Sequence, residues 1–388
     1  MSSIHKKVLR MKKPISFFVH HQGRGHANRT MAIAEHFSKD RHVSVLTAGP
    51  DYFANASSTI EVIALPNMIG ETVPTTRMFE EPTPSVMHCV PLGLPSMRKT
   101  MRTIVDHLDD RDVGLFVVDV SSEIGMLGRI CSTPTVQMRL HGDRNDIGHI
   151  GSYESMVGIL APFDERLEQD DYPARLREKT FYTGGLCTTR DGVLSKSAAR
   201  EKLDLPAGGN VVLVLTGGGG SGTPYAPLTI AARAIPDTLW LVAGPVHKEG
   251  HETDFPNLKQ LGWVDNVTDY ISAADTVVAS AGDNTVHEIA RAAKHFVVMP
   301  EWRYFSEQHR KADELVRLGA AVSAPYWPGD YDGWRSIIQH AQALDPSVLA
   351  SLHTPDASAF AAKWLEDLCD GLWTGNVVQD AQPILKVV

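Results

Sequence analysis

Four stretches of this 388-residue chain hold side chains or backbone suited to chemistry. In Gln22-Gly23-Arg24-Gly25-His26-Ala27-Asn28-Arg29 a histidine follows two glycines, which turn the backbone tightly and keep side chains away from a ligand. Imidazole titrates near neutral pH, so His26 is a candidate general base. Gly217, Gly218, Gly219, Gly220 and Ser221 form a loop whose backbone N–H groups suit a phosphate. In Ser280-Ala-Gly282-Asp-Asn284-Thr285-Val-His-Glu288, a turn leads into a helix start, with Glu288 one turn inside and on the side of Asn284. Glu307 and Gln308 stand near the start of a further helical stretch, where Gln308 read alone is a surface residue.

The elements around these residues follow a βαβ rhythm. Ile15 to Val19 is a continuous run of β-forming residues, and the helical pattern resumes from Ala27 to Phe37. His26 is thereby expected at a strand's carboxyl end and near a helix amino end, where open α/β sheets bind ligands and where the neutral imidazole is favoured. Further strands are predicted at 42–47, 61–65, 114–118 and 135–140, the fourth ending at Asp119. A second series runs through 210–216, 238–243, Trp263-Val264, 276–279 and 296–299. The fold class is therefore α/β: two Rossmann-like, doubly wound parallel-sheet domains facing across a cleft. The expected division is 1–185, 186–356 and a terminal helical segment at 357–388, with the linker at 182–190. Between Pro66 and Pro95, six prolines and several methionines break the rhythm, as in a substrate-facing lid or a solvated insertion.

Composition removes several classes. A net charge of -9 gives no electrostatic support to nucleic-acid binding. Four scattered cysteines without a CxxC pair argue against a zinc site and for a reducing cytoplasm. No apolar run reaches the roughly 20 residues of a membrane span, and the one after the basic amino terminus is too short for a signal-peptide core. That basic stretch reads as a solvated tail or a weak peripheral membrane contact. Gly217-x-Gly219-x-x-Gly222 matches the dinucleotide fingerprint in form, but the next strand ends in Gly244-Pro245 without the acid that would hold a ribose.

The motifs Gly23-x-Gly25-His26-x-x-Arg29-x-x-Ala32, the Gly217 loop, and Ser280-x-Gly282-x-x-Thr285-x-x-Glu288 followed by Pro300…Gln308-x-x-x-Ala312-x-x-Leu315 together resemble the GT-B-fold glycosyltransferases. The resemblance is to family 28 and the group containing the peptidoglycan lipid-intermediate N-acetylglucosaminyltransferase. It implies an inverting, metal-independent transfer of a sugar from a nucleotide-diphosphate sugar, expected to be UDP-linked, to the hydroxyl of a small-molecule or lipid-linked acceptor. No cofactor is implied, and the expected place is the cytoplasm or the inner face of its membrane. By the resemblance, Arg190 and the loop from Gly217 to Ser221 meet the diphosphate, and the backbone at Trp263 and Val264 meets the base. The turn and helix start at Ser280, Gly282, Asn284 and Thr285 face the donor. Glu288 takes the ribose, while Glu307 and Gln308 take the sugar. Asp119 orients His26, and Gly25, Arg29, His141, Asp143 and Arg144, with His149 nearby, line the acceptor side. The terminal segment, apolar at Phe360, Trp364, Leu368 and Leu372, packs back on the first domain.

Other readings stay open on the sequence. His26 also fits a histidine that stabilises its own loop, Asp119 an N-cap for the helix after Ser121, and Glu288 a solvated helix carboxylate. The glycine loop also fits a bare tight turn. A nucleotide-sugar hydrolase of the same fold would use His26 on water, and a non-catalytic nucleotide-sugar-binding protein would not need it.

Overall fold

Strand β1 (Ile15–Val19) is buried at all five positions, as a strand must be when helices cover both faces of its sheet. The computed structural model describes residues 12–69, 77–188, 192–216, 222–250 and 252–374, which form two parallel-sheet α/β domains. Beside β1 the first sheet contains β2 (Val43–Thr47), β3 (Ile60–Ala64), β4 (Leu115–Asp119), β5 (Thr135–Met138), β6 (Gly158–Ala161) and β7 (Thr180–Tyr182). Its order is β3-β2-β1-β4-β5-β6-β7, with every pairing parallel. The strands β6 and β7 lie beyond the five read from the sequence.

The second domain holds β8 (Asn210–Leu215), β9 (Thr223–Pro224), β10 (Thr238–Ala243), β11 (Val246–His247), β12 (Leu258–Gly262), β13 (Thr276–Ala279), β14 (His295–Val298) and β15 (Val322–Ser323). Six of them form a sheet in the order β12-β10-β8-β13-β14-β15, while β9 pairs with β11. In each sheet the first strand in sequence lies inside, so connections leave it in opposite directions. The crevices outside the carboxyl ends of β1/β4 and β8/β13 are thus the places where such sheets bind ligands.

Helix α1 (Arg24–Ala34) begins three residues before the expected start at Ala27 and ends before Phe37. Gly23, at φ +97°, makes the turn out of β1, and Gly25 is already helical. His26 therefore stands in the first helical turn.

The helix Ala357–Trp373 packs on α1 and enters the core around Ile15, Val45 and Leu160, but through a different face from the one expected. Ala357, Ala361, Ala362, Leu365 and Cys369 are buried, whereas Phe360 is 51% and Leu372 44% exposed. Small alanines let the helix backbone approach the sheet closely, and Trp364 and Leu368 flank that contact. The Trp364 ring stacks on Phe181 at 4.9 Å. Ion pairs from Arg41 to Glu366 (3.3 Å) and Asp370 (2.7 Å) fasten the same helix. Among the described residues no helix is long and apolar enough to cross a membrane.

If this small-residue face is the seat, Leu365→Ala lowers unfolding stability by about 2–5 kcal/mol, the cost of a cavity in a packed core. Phe360→Ser stays within about 0.5 kcal/mol. Urea titration of both variants checks the assignment, and the reverse ranking would contradict it.

Candidate functional site

At the carboxyl edge of the first sheet, two neighbouring strands deliver one chemical pair. His26 Nδ1 stands 2.5 Å from Asp119 Oδ2, with the histidine side chain 20% exposed and the aspartate 2%. The same nitrogen lies 3.2 Å from the Arg29 guanidinium, so Nδ1 faces both a carboxylate and a cation. Asp119 makes no cap to the helix Ser122–Ile130; the cap position belongs to Ser121, which makes no side-chain cap bond either. Arg29, buried on the next turn of α1, donates to Asp119 Oδ1 at 2.9 Å. Burial opposes ionisation of Asp119, but His26 and Arg29 outweigh it and hold the carboxyl well below the usual range.

The neighbouring His20 ring lies 5.6 Å from that of His26. Burial, then the charge of His26, pushes His20 down to about 4. It is therefore neutral near neutral pH and adds no permanent charge.

Arg29 also reaches the other domain, placing NH1 3.3 Å from Asp283 Oδ2. Asp283 is the first residue of the helix Asp283–Arg291, which starts behind Gly282 at the end of β13. The other carboxylate oxygen of Asp283 pairs with Lys311, a lysine only 1% exposed. Gly25 faces this helix too: a Cβ on it would lie 3.7 Å from Asn284 Nδ2. Ser280, Gly282, Asn284, Thr285 and Glu288 are half-buried around this helix start. Next to it, a cavity of about 80 Å³ opens at the ends of β8, β13 and β14, lined by Thr216, Ser280, Pro300, Glu301 and Trp327 among others. Trp263 follows β12 and is exposed, while Val264 packs against the core. Arg190 and the loop Gly217–Ser221 lie outside the described residues.

Gln308 departs from its surface reading. It is buried, and its Oε1 accepts the N–H groups of Ala281 (3.3 Å) and Glu301 (2.8 Å), tying the ends of β13 and β14 together. That oxygen is spent on backbone and not open to a sugar. Glu307, which opens the helix Glu307–Arg317, turns toward the first domain and pairs with Arg144 NH2 at 3.1 Å.

The loop after β5 also differs from its expected acceptor role. His141 is fully buried, with Nε2 donating to the Leu167 carbonyl at 2.8 Å and its ring 4.1 Å from Phe163, so it lines no open surface. Burial lowers its proton affinity strongly. Asp143 and Arg144 serve the domain junction instead. The Asp143 N–H donates to the Phe305 carbonyl at 2.7 Å, its carboxylate pairs with Arg310 at 3.2 Å, and the Arg144 guanidinium lies 4.6 Å from the Phe305 ring.

Phe305 and Ser306 both adopt left-handed φ, +61° and +53°, a conformation that costs free energy for non-glycine residues. The kink sends the Phe305 ring against His88 (4.7 Å) and His149 (4.9 Å) of the first domain. Gly142 must be glycine here, since its φ is +129° and a Cβ would come within 2.8 Å of the Phe305 carbonyl oxygen. His149 is buried and its Nδ1 is 2.5 Å from Asp146. His88 belongs to the proline- and methionine-rich segment, which is tethered where Glu123 accepts the N–H groups of His88 and Cys89, both at 2.7 Å. Beyond the tether, Ile69, Met78, Val86, Met87 and Leu92 are exposed.

Asp283, Lys311, Glu301, Phe305 and His88 are absent from the sequence-derived site. Lys311 alone left a signal: it falls on the stripe Gln308, Ala312, Leu315, all buried, and a lysine on a buried helix face requires a carboxylate partner.

Residues 234–326 match the glycosyltransferase family 28 C-terminal domain. The UDP-N-acetylglucosamine–N-acetylmuramyl-(pentapeptide) pyrophosphoryl-undecaprenol N-acetylglucosamine transferase of Carboxydothermus hydrogenoformans is 28% identical over 38% of this chain and 43% of its own length. The Cutibacterium acnes enzyme of that name is 27% identical over 45% of this chain and 49% of its own. The chain thus matches less than half the length of these relatives. Over nearly the full chain the fold is shared with Acinetobacter baumannii MurG (TM-score 0.63, 16% identity, 92% of this chain and 99% of that one). It is shared equally with the calicheamicin glycosyltransferase CalG4 (TM-score 0.66, 14% identity, 94% and 100%).

The buried histidines make the site acid-sensitive. In the folded state His20 and His287 are both lowered to about 4, in each case chiefly by burial, against about 6.5 unfolded. Their neutral forms contribute stability that is full above pH of about 6.5 and is lost as pH falls toward about 4. Melting temperature is expected to fall across that window, with a shallower slope in His20→Gln. Scanning calorimetry at several pH values checks both.

Proposed function

From the GT-B fold and a second domain that is family 28-like, we propose that the chain is a glycosyltransferase that moves a sugar from a nucleotide-diphosphate sugar, UDP-linked by analogy with the named relatives, to an acceptor hydroxyl. The observation that carries the reading is the His26–Asp119 pair, a buried carboxylate set against the Nδ1 of a partly exposed imidazole, which leaves Nε2 as the nitrogen for catalysis in this reading. In this mechanism Nε2 takes the acceptor's hydroxyl proton as the oxygen attacks the anomeric carbon. The bond from that carbon to the phosphate oxygen breaks, and the nucleoside diphosphate leaves with the electron pair. A single displacement of this kind inverts the anomeric configuration. Asp119 holds the Nδ1 hydrogen and stabilises the imidazolium that forms, as a carboxylate does in other histidine-based sites. The growing charge on the leaving group is met by free N–H groups at the start of the helix Asp283–Arg291, beside the cavity lined by Ser280 and Glu301.

Donor contacts are assigned to Ser280, Gly282, Asn284, Thr285 and Glu288, with the base near Trp263 and Val264, and Arg190 and the Gly217 loop at the diphosphate. The acceptor is assigned to the surface beside His26 and the exposed apolar residues of the proline-rich segment; a lipid-linked acceptor and a peripheral membrane contact fit that surface. Mass spectrometry of products formed from UDP-, GDP- and dTDP-sugars with hydroxyl acceptors tests the reading. Free sugar as the sole product with every acceptor would replace it with hydrolysis.

His26→Ala is expected to lower turnover by roughly 10²–10⁴-fold with donor affinity nearly unchanged. Wild-type turnover, or a loss that tracks lost thermal stability, would return His26 to a structural role.

Glu288→Ala is expected to weaken donor binding by about 1–3 kcal/mol with the fold intact, the scale of a lost charged hydrogen bond. Calorimetric titration with the active nucleotide sugar reads this directly, and unchanged affinity removes Glu288 from the donor site.

A further inference from the structure

The base pair His26–Asp119 is the near end of a chain of charges that crosses between the domains. Lys311 pairs with Asp283, Asp283 with Arg29 at 3.3 Å, Arg29 with Asp119 at 2.9 Å, and Asp119 with His26 at 2.5 Å. Arg29 and Lys311 are both essentially buried, so neither charge is dissipated by water. Resting on the glycosyltransferase reading, we propose that Asp283 and Lys311 are positioning residues of the donor domain: Asp283 anchors Arg29, Lys311 cancels the charge that this carboxylate adds, and together they set the pH at which His26 works.

The balance is countable. Arg29 lies within 3.2 Å of His26 Nδ1, and left alone its charge would oppose protonation of the imidazole. Asp119 offsets that charge. Asp283 would overcompensate, and its carboxylate at a helix start would also repel an incoming diphosphate. Lys311 removes both problems, because its ammonium neutralises the Asp283 carboxylate with which it pairs. The other groups around His26 are His20 and His21 at the end of β1, both with lowered proton affinity, and Arg144 beyond them. None of these can replace the missing charge. Asp283 and Lys311 belong to the second domain, so the balance exists only while the domains are in contact.

The proposal predicts opposite signs for two neutralising variants. Asp283→Asn leaves an excess positive charge near His26, and Lys311→Met leaves an excess negative one. With histidines ¹³C-labelled at Cε1 and the His26 signal assigned from the His26→Ala spectrum, its NMR titration midpoint is expected to fall by about one pH unit in the first variant and rise by about one in the second. In the double variant, which buries no lone charge, it returns to the wild-type midpoint, and Lys311→Arg keeps it there. If one single variant does not fold, the other is read against the double. Midpoints that stay fixed, or shift in the same direction in both singles, overturn the proposal. Turnover of His26→Ala is measured separately: its failure to drop would end the general-base reading while leaving these titration shifts standing.

Discussion

A buried guanidinium holds this site together. Arg29 lies within hydrogen-bonding reach of two carboxylates, Asp119 and Asp283, contributed by two different domains. Removing a charge from water costs several kcal/mol unless partners replace the hydration, and for Arg29 the anionic partners are one carboxylate from each domain. The orientation of His26 thus depends on an arrangement that neither sheet builds alone. The same cation also explains how a lysine can be buried in a helix face that otherwise packs against a core: Asp283 needs a second neutraliser once it faces Arg29.

The remaining contacts between the domains divide by how much water reaches them. Arg310 with Asp143 and Asp171 is partly exposed, and pairs of that kind contribute little to stability. Arg144 with Glu307, shielded by the Phe305 ring, is nearly dry on the arginine side. The left-handed pair Phe305–Ser306 persists because its carbonyl and its ring are both engaged by the first domain. The junction therefore lies beside the cleft, with the exposed apolar side chains of the proline-rich segment at its edge, and it sets how closely the start of the helix Asp283–Arg291 approaches His26.

What could be read in the chain was whatever depends on near neighbours in sequence. Buried strands appear as continuous apolar runs, so the order of β1, β2, β4, β8, β10 and β13 was legible, as was the alternation that implies parallel sheets. The placement of His26 at a strand end followed from the glycines beside it, and the choice of Asp119 followed from its position closing β4. Short strands on the far side of the first sheet, such as β6 and β7, were not legible. Nor was the seat of the terminal helix, since an apolar stripe and a small-residue stripe one position apart compete, and only the shape of the sheet beneath decides between them.

Side-chain partners more than one turn away belong to tertiary structure. Nothing local distinguishes Gln308, which clamps two backbone N–H groups, from a surface glutamine, or Arg144, which braces the junction, from an acceptor contact. His141 carries the same imidazole as His26, yet one is sealed against Phe163 and the other stays partly exposed beside Asp119. The sequence alone determined which groups were available, which strands carry them and at which end of the sheets they emerge. Only the packing of two domains against each other decided which of those groups are dry, which charges meet and which stay open to a ligand, because desolvation and ion pairing depend on distances between residues as far apart in the chain as Arg29 and Asp283.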